Sequence, residues 1–301
     1  MDVNATDNAG VITRGPRVTS KRCQNAVTVF APFALALSGI ASGVVPTWTT
    51  AGVFVVCFVL GPIGIGIGLH RYFAHRAFQA HPAVQVVLGI LASWAWQGPV
   101  IQWVSDHRRH HRFADTGLDP HSPHFVRGRA ARTTVGGLFH AHLGWMLSAD
   151  VSDPRRFAVD AERDRVARFC SRWYWPLALS SLLVPAGLGG MLGGQEEALR
   201  CLVWAGALRI VLLQHLTWAI ASAGHRYGEK RHDAQDEARN SVALALLLFG
   251  EGLHSFHHVY PGLGVNQPEH LDLNGQILQR WERWGWIRHL KRPEAAPSCS
   301  S

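Results

Sequence analysis

The sequence predicts an all-α membrane protein: four transmembrane helices in two hairpins under a cytoplasmic helical cap that holds a histidine-ligated di-metal site. Three observations carry this reading. From Cys23 to Leu69 there are 47 residues without a charge, too many for one crossing. The triplets His107, His110, His111 and His254, His257, His258 each place histidine at i, i+3 and i+4, a spacing that puts three imidazoles on one helix face so that their nitrogens converge on one point. The pair His70 and His75 and the lone His225 each follow an apolar run.

Taken in order, residues 1–22 are polar and carry Arg14, Arg17, Lys21 and Arg22, so they read as a disordered cytoplasmic arm. At about 1.5 Å per residue the uncharged run is about 70 Å of helix, against a hydrocarbon core of about 30 Å. It is therefore a hairpin, about residues 25–69, turning at Pro46–Thr50 with Trp48 at interfacial depth. The apolar stretch from Ala77 to Ser105 is long enough to span. A crossing there would put His70 and His75 on the opposite face from His107, His110 and His111, so the stretch is expected to lie along the interface, anchored by Trp94, Trp96 and Trp103. The Arg-rich segment to Arg172 follows. A second hairpin, about 173–224, runs as Trp173–Gln195 and Cys201–Gly224, joined by a connection with Glu196, Glu197 and Arg200. The positive-inside bias puts both termini and every histidine group in the cytoplasm. Arg209 is expected to face protein instead of lipid. Residues 240–253 are apolar but too short to cross, and read as a cap helix delivering Glu251. The cap is thus drawn from 70–172 and 225–292, the single membrane domain is 23–292, and 293–301 is a disordered tail.

The composition agrees. The chain has 301 residues, 48% of them hydrophobic, and a net charge of +8, which suits basic loops on an anionic leaflet. No nucleic-acid motif is present and no nucleic-acid partner is expected. Five cysteines (Cys23, Cys57, Cys170, Cys201, Cys299) stand apart without CxxC pairs, so neither disulfides nor a thiolate metal site is indicated. Nine histidines exceed the roughly six ligands of one metal, so two metals follow. Imidazole suits iron, zinc, copper or nickel. On a regular helix residues 70 and 75 lie about 140° apart, so they share a metal only if the helix ends or bends there; it is expected to end. Asp106 and Glu251 are candidates to orient histidine N–H groups, with helix capping the competing role. The other histidines, among them His121, His142 and His215, read as hydrogen-bonded or exposed.

At these residues the chain, from about 50 to 292, resembles the integral-membrane fatty acyl desaturases of the stearoyl-CoA type. The three histidine boxes carry the likeness, with the words Gln97-Gly-Pro, Trp103-Val-Ser-Asp106, Phe139–Trp145, Thr217-Trp218, Ser222-Ala-Gly-His225 and Gly250-Glu-Gly-Leu-His254. The resemblance implies four long transmembrane helices, two iron ions held by all nine histidines, and O2 as co-substrate. It implies removal of two hydrogens from a fatty acyl chain, carried by CoA or another acyl carrier, to leave a cis double bond. Electrons would come from a separate protein of the ferredoxin, rubredoxin or cytochrome b5 type, since no His-Pro-Gly-Gly haem motif is present. It places Gln97, Trp103, Thr217 and Trp218 at the bend of a substrate tunnel. The chain departs from the family pattern at Ala221, where relatives have a water-holding Asn, and at Gly98 and Ser105. Two other outcomes belong beside this one: hydroxylation or acetylenic bond formation on the same scaffold, and a non-catalytic metal- or haem-binding membrane protein.

Overall fold

The computed structural model describes residues 9–148 and 150–293. Helix α1 (Pro16–Ala41) begins at a proline, whose fixed φ suits a first helical position. Helix α2 (Trp48–Pro62) begins at a capping box in which Thr47 and Thr50 satisfy each other's backbone N–H groups. It continues without a break as a π-helix over Ile63–Ala74. The last long run is α9 (Tyr174–Cys201), a π-turn over Leu202–Leu208, α10 (Arg209–Ser222) and a 3₁₀ turn to His225. Three runs, Pro16–Ala41, Trp48–Ala74 and Tyr174–His225, are long and apolar enough to cross a membrane. Their outer faces stay bare and apolar: Phe30 and Phe33 are 50% exposed and Leu183 66%, a surface suited to lipid.

The run of 52 residues from Tyr174 is not one rod. Gly193 and Gly194 leave helical geometry, with φ +75° at Gly194, and the chain folds back on itself. A Cβ on Gly189 would come within 2.6 Å of the Glu197 carbonyl oxygen, and one on Gly206 within 3.1 Å of Leu182. The turn therefore lies before Glu196, Glu197 and Arg200, the residues expected to form it; all three sit in the returning helix. Glu197 is buried there and accepts hydrogen bonds from Thr47 and Thr50, at 2.7 and 2.6 Å, tying the turn before α2 to the turn in this run.

The stretch from Ala77 to Ser105 breaks into β2 (Gln79–Ala80), α3 (Pro82–Trp94), a loop, and the start of α4 (Val100–Phe113). At 13 residues α3 spans about 20 Å, too short to cross. Its C-terminal end is satisfied from within the protein. Arg209 is 2% exposed and donates to the carbonyls of Trp94, Ser181 and Ala205 at 3.2, 3.0 and 3.2 Å. Gln214 donates to the carbonyls of Trp96 and Thr28. The tryptophans expected as interface anchors are instead packed against protein. Trp96 is buried with its Nε1 donating to Ala178 and Ser181, Trp94 donates to Ser180, and Trp103 stacks on His107. An indole surrounded by other helices packs its ring and satisfies its N–H without the interface.

The arm also needs correction. Helix α1 starts at Pro16, not near residue 25, and β1 (Val11–Ile12) pairs antiparallel with β5 (Val151–Ser152). Ile12, Val18 and Val151 bury together; apolar side chains in a mostly polar segment are enough to dock it once a partner strand exists. Residues 1–8 and the tail 294–301 lie outside the described residues. Outside the long apolar runs the described residues form the hairpin β3 (Phe125–Val126) and β4 (Arg129–Ala130), α5 (Thr134–His142), the short helices α6 (Pro154–Phe157), α7 (Val159–Arg163) and α8 (Arg165–Arg172), then α11 (Val242–Leu247), α12 (His254–Val259), α13 (Leu273–Arg283) and β6 (Ile287–Arg288), which pairs with β2. Helix α11 is only six residues. It ends in a tight turn at Gly250 (φ +108°), where a Cβ would lie 2.2 Å from Asp272.

Replacing Arg209 with Met should leave three buried carbonyls without their donor, each at a cost of about 1–3 kcal/mol. The thermal unfolding midpoint in detergent should fall by several degrees; an unchanged midpoint would show that α3 does not depend on this cap.

Candidate metal centre

Four segments deliver the nine histidines. His70 and His75 come from the π-helical end of α2. There the His75 N–H bonds the His70 carbonyl at 3.0 Å, an i→i+5 bond. This rewinding, and not only the end of the helix, brings residues five apart onto one face, and the two rings meet at 4.9 Å. Close packing permits it: a Cβ on Gly64 would lie 2.3 Å from the Leu91 carbonyl and one on Gly66 2.6 Å from Glu251. Helix α4 carries His107, His110 and His111, α12 carries His254, His257 and His258, and the 3₁₀ turn after α10 ends at His225.

The triplets do not each converge on one point. His70, His75, His107, His111 and His257 form one cluster, and His110, His225, His254 and His258 a second, with ligand nitrogens within 4.8 Å of one another in each. Each triplet thus gives its i, i+4 pair or its remaining histidine to opposite clusters. The i, i+4 pair forms one stripe of the helix and the third imidazole points from an adjacent stripe, so a helix lying between two centres serves both.

The donor set fits bound cations. The Nε2 atoms face one another: His75 and His107 at 2.8 Å, His70 and His257 at 2.9 Å, His225 and His254 at 3.0 Å. Four rings have their outer Nδ1 on a carboxylate: His70 on Glu251, His110 on Asp119 at 3.0 Å, His225 on Asp115 at 2.9 Å and His258 on Asp236 at 2.6 Å. A ring donating from Nδ1 turns its Nε2 lone pair inward, the arrangement of a metal ligand with its outer partner. Burial, and then the neighbouring imidazoles, holds His75, His107, His111, His254, His257 and His258 well below the usual histidine value, so these rings are neutral. Burial opposes charge on the carboxylates, yet His70 and Arg71 hold Glu251 down at about 2 and His110 holds Asp119 at about 2. Glu251 is fixed in turn by Arg71, which donates to it at 2.9 Å and makes paired bonds to buried Asp272 at 2.8 and 2.9 Å.

Comparison with known proteins agrees with this geometry. The fatty acid desaturase family model matches residues 46–273. The chain belongs to the fatty acid desaturase family. Among its relatives, a hex-5-enoyl-[acyl-carrier protein] acetylenase of Moorena producens is 34% identical over 249 residues, 81% of this chain and 77% of the relative. An sn-1 stearoyl-lipid 9-desaturase of Synechocystis sp. is 32% identical over 71% of this chain and 62% of the relative. An acyl-CoA Delta(11) desaturase of Spodoptera littoralis is 30% identical over 81% and 71%.

In this desaturase-family chain Gln97, Trp103, Thr217 and Trp218 line one cavity, together with Ala221 and Ile65, that ends against His70, His107, His110 and His254. It encloses about 970 Å³ of empty space, open mouth included. Trp218 Nε1 donates to the Gln97 side-chain amide oxygen Oε1 at 3.2 Å. Asp106 does not orient a histidine. Its carboxylate accepts from Lys21, Ser152 and Gln102, because it lies on the side of α4 that meets α1 and β5 while His107 points the other way. His142 bonds His215 and Ser222 outside both clusters. The residues that reading of the sequence missed are the carboxylates Asp115, Asp119 and Asp236 and the Arg71–Asp272 pair. Asp115 and Asp119, four and eight residues after His111, were the available signal; Asp236, in a run of mixed charge, had none.

Asp236→Ala should weaken metal held at the four-histidine cluster about 10- to 100-fold in a chelator competition, the usual size of such an outer-partner effect. The five-histidine cluster should be unaffected. Equal loss from both clusters would refute the division.

Proposed function

We propose that this protein is an O2-dependent di-iron desaturase that introduces a cis double bond into a fatty acyl chain. The observation that carries the proposal is the 5 + 4 division of nine imidazoles at the inner end of a partly apolar cavity. A methylene C–H has neither an acidic proton nor a leaving group, so acid–base side chains cannot remove it. Iron bound at the two clusters would supply O2 activation and hydrogen removal. His70, His75, His107, His111 and His257 would hold one iron, and His110, His225, His254 and His258 the other. The chain's own residues do the positioning. Trp103 and Trp218 give apolar walls, Gln97 and Thr217 turn the chain past the clusters, and burial keeps bulk water away from the reacting carbons. Reduction of O2 to two waters takes two hydrogens from the substrate, two electrons from a donor protein of the ferredoxin, rubredoxin or cytochrome b5 type, and two protons from solvent. Four crossings, with Gly193–Gly194 at the second outer turn, place the clusters and the start of α1 on the cytoplasmic face; the basic cap supports this. A fatty acyl group on CoA or another acyl carrier is the substrate.

A second outcome, formation of a triple bond, is favoured by one observation: the acetylenase named above is 34% identical over most of both chains. The two outcomes differ only in whether the product is held for a second hydrogen removal.

Purified protein expressed with abundant iron should contain two iron atoms per chain, and the expressing host should accumulate new unsaturated or acetylenic acyl chains. His257→Ala should abolish both the product and one iron while the membrane helices stay folded by circular dichroism. Iron-free protein, or a host with an unchanged lipid profile, would sink the proposal.

Ala221 faces the cavity beside the four-histidine cluster, and the nearby Ser222 hydroxyl is engaged by His142 and the Trp218 carbonyl. Ala221→Asn should therefore slow chelator removal of one iron and leave the other unchanged, since alanine offers no hydrogen bond to a ligand there. Identical kinetics in both proteins would show that this position does not reach the centre.

A further inference from the structure

Trp94, Trp96 and Trp103 pack against protein, and the indoles that face outward beside α3 come from the other end of the chain. The turn from α13 into β6 exposes Trp284 by 60% and Trp286 by 48%, and their rings meet edge-on at 5.0 Å. This turn is held in place. The Trp286 carbonyl accepts the His81 N–H at 2.9 Å, β6 pairs with β2 at Gln79 and Ala80, and the Lys291 N–H bonds the Ala77 carbonyl at 2.9 Å. Residues 280–292 carry Arg280, Arg283, Arg288, Lys291 and Arg292 against one acid, Glu282. Glu282 is committed to Arg292 and to the Leu290 N–H, so the other four cations form no ion pair among the described residues.

The neighbouring surface fixes the level of this turn. Ala83, Val86, Val87 and Ile90 recur at i, i+3, i+4 and i+7 along α3, a single helix stripe, and Val86 and Val87 are about half exposed, at 48% and 52%. On its other side α3 packs on α8, where a Cβ on Gly89 would lie 2.6 Å from Cys170 Sγ. Cys170 is one turn before Trp173 and the start of α9, so the middle of α3 sits where that apolar run begins. Helix α8 has the same composition there as the C-terminal turn: Phe169 and Trp173 are exposed beside Arg165, Arg168 and Arg172. An apolar stripe reaching the first turn of α3 would stand in water if the helix rose out of a leaflet. Lying along the leaflet, α3 brings Trp284 and Trp286 to the depth that indoles favour.

We propose that Trp284 and Trp286, with Arg280, Arg283 and Arg288, form a binding surface for the anionic phospholipid headgroups of the leaflet on the cap side. The inference rests on the membrane crossings proposed above and not on the reaction. The indoles settle between headgroups and acyl chains, where an apolar ring and a polar N–H are both satisfied. The guanidiniums pair with lipid phosphates, and each cation near the surface favours an anionic leaflet about fivefold. Since β2 begins four residues after His75 and pairs with β6, the leaflet holds the strand that leaves the five-histidine cluster.

The test places full-length protein in nanodiscs of phosphatidylcholine and phosphatidylglycerol and reads quenching of tryptophan fluorescence by either lipid brominated in the upper acyl chain. The signal of the two indoles is the difference between wild type and Trp284→Ser/Trp286→Ser. It is measured again in a pair that also carries Arg280→Gln/Arg283→Gln/Arg288→Gln. The two indoles should be quenched more by brominated phosphatidylglycerol than by brominated phosphatidylcholine at the same mole fraction. The arginine changes should abolish that preference and leave quenching by phosphatidylcholine in place. Unfolding midpoints in detergent should stay unchanged, because all five side chains are exposed. Absence of quenching by both lipids, equal quenching by both, or a preference that survives the arginine changes would overturn the inference. So would arginine variants that raise the KM for an acidic ferredoxin without altering lipid quenching, an outcome that gives the surface to a donor protein. Wild type that fails to enter nanodiscs would overturn the membrane crossings as well.

Discussion

Nitrogen lone pairs turned toward one another inside a protein repel, and the rest of this structure follows from holding nine of them in place. Imidazole nitrogens converge within 4.8 Å in each of two clusters, an arrangement that only a shared cation or proton makes favourable. Buried carboxylates fix the direction of four of the rings through Nδ1. Those carboxylates in turn need partners, since an unpaired buried charge costs several kcal/mol. Glu251 finds Arg71, Arg71 finds Asp272, and Asp115 accepts the Glu237 backbone N–H at 2.8 Å. The cap is layered outward from the centre in this way, each shell satisfying the one inside it.

The same constraint explains the irregular backbone near the centre. A regular helix cannot put residues 70 and 75 on one face, so α2 widens into a π-helix before it ends. Glycine at 64 and 66 lets α3 and the Glu251 side chain pack against that widened turn. Below it, α3 stops inside the bundle, and Arg209 and Gln214 satisfy carbonyls there that lipid could not. An arginine in an apolar helix thus replaces the water that a short buried helix would otherwise need at its C-terminal end.

Docking of residues 9–22 decides the shape of the cavity. A mostly polar segment carries Val11, Ile12 and Val18; Ile12 and Val18 bury against Val151, and the segment is held because β5 is there to pair with. Once placed, the segment adds Lys21, and α1 adds Gln24 and Asn25, to the cavity lining, and a lysine is brought to a buried aspartate.

The sequence by itself determined the long apolar runs and the nine histidines that gather in two clusters, because both depend on local quantities: the length of an uncharged run against the thickness of a membrane, and the number of imidazoles against the coordination number of a metal. Hydropathy alone counts 77–105 as a crossing; the need for the histidines on either side to meet is what argued against it. Hydropathy could not set the turn at Gly193–Gly194, since Glu197, one of the charges that marked Glu196–Arg200 as a loop, is satisfied by a buried contact with Thr47 and Thr50, and Glu196 pairs with Arg200 within the helix. Only the tertiary structure decided the division of each triplet between two clusters, the choice of Asp115, Asp119 and Asp236 as outer partners, and the pairing of Asp106 with Lys21 instead of a histidine. Helical spacing specifies which side chains share a stripe. What meets that stripe comes from segments as much as 187 residues away, as with His70 and His257, and no local pattern encodes that meeting.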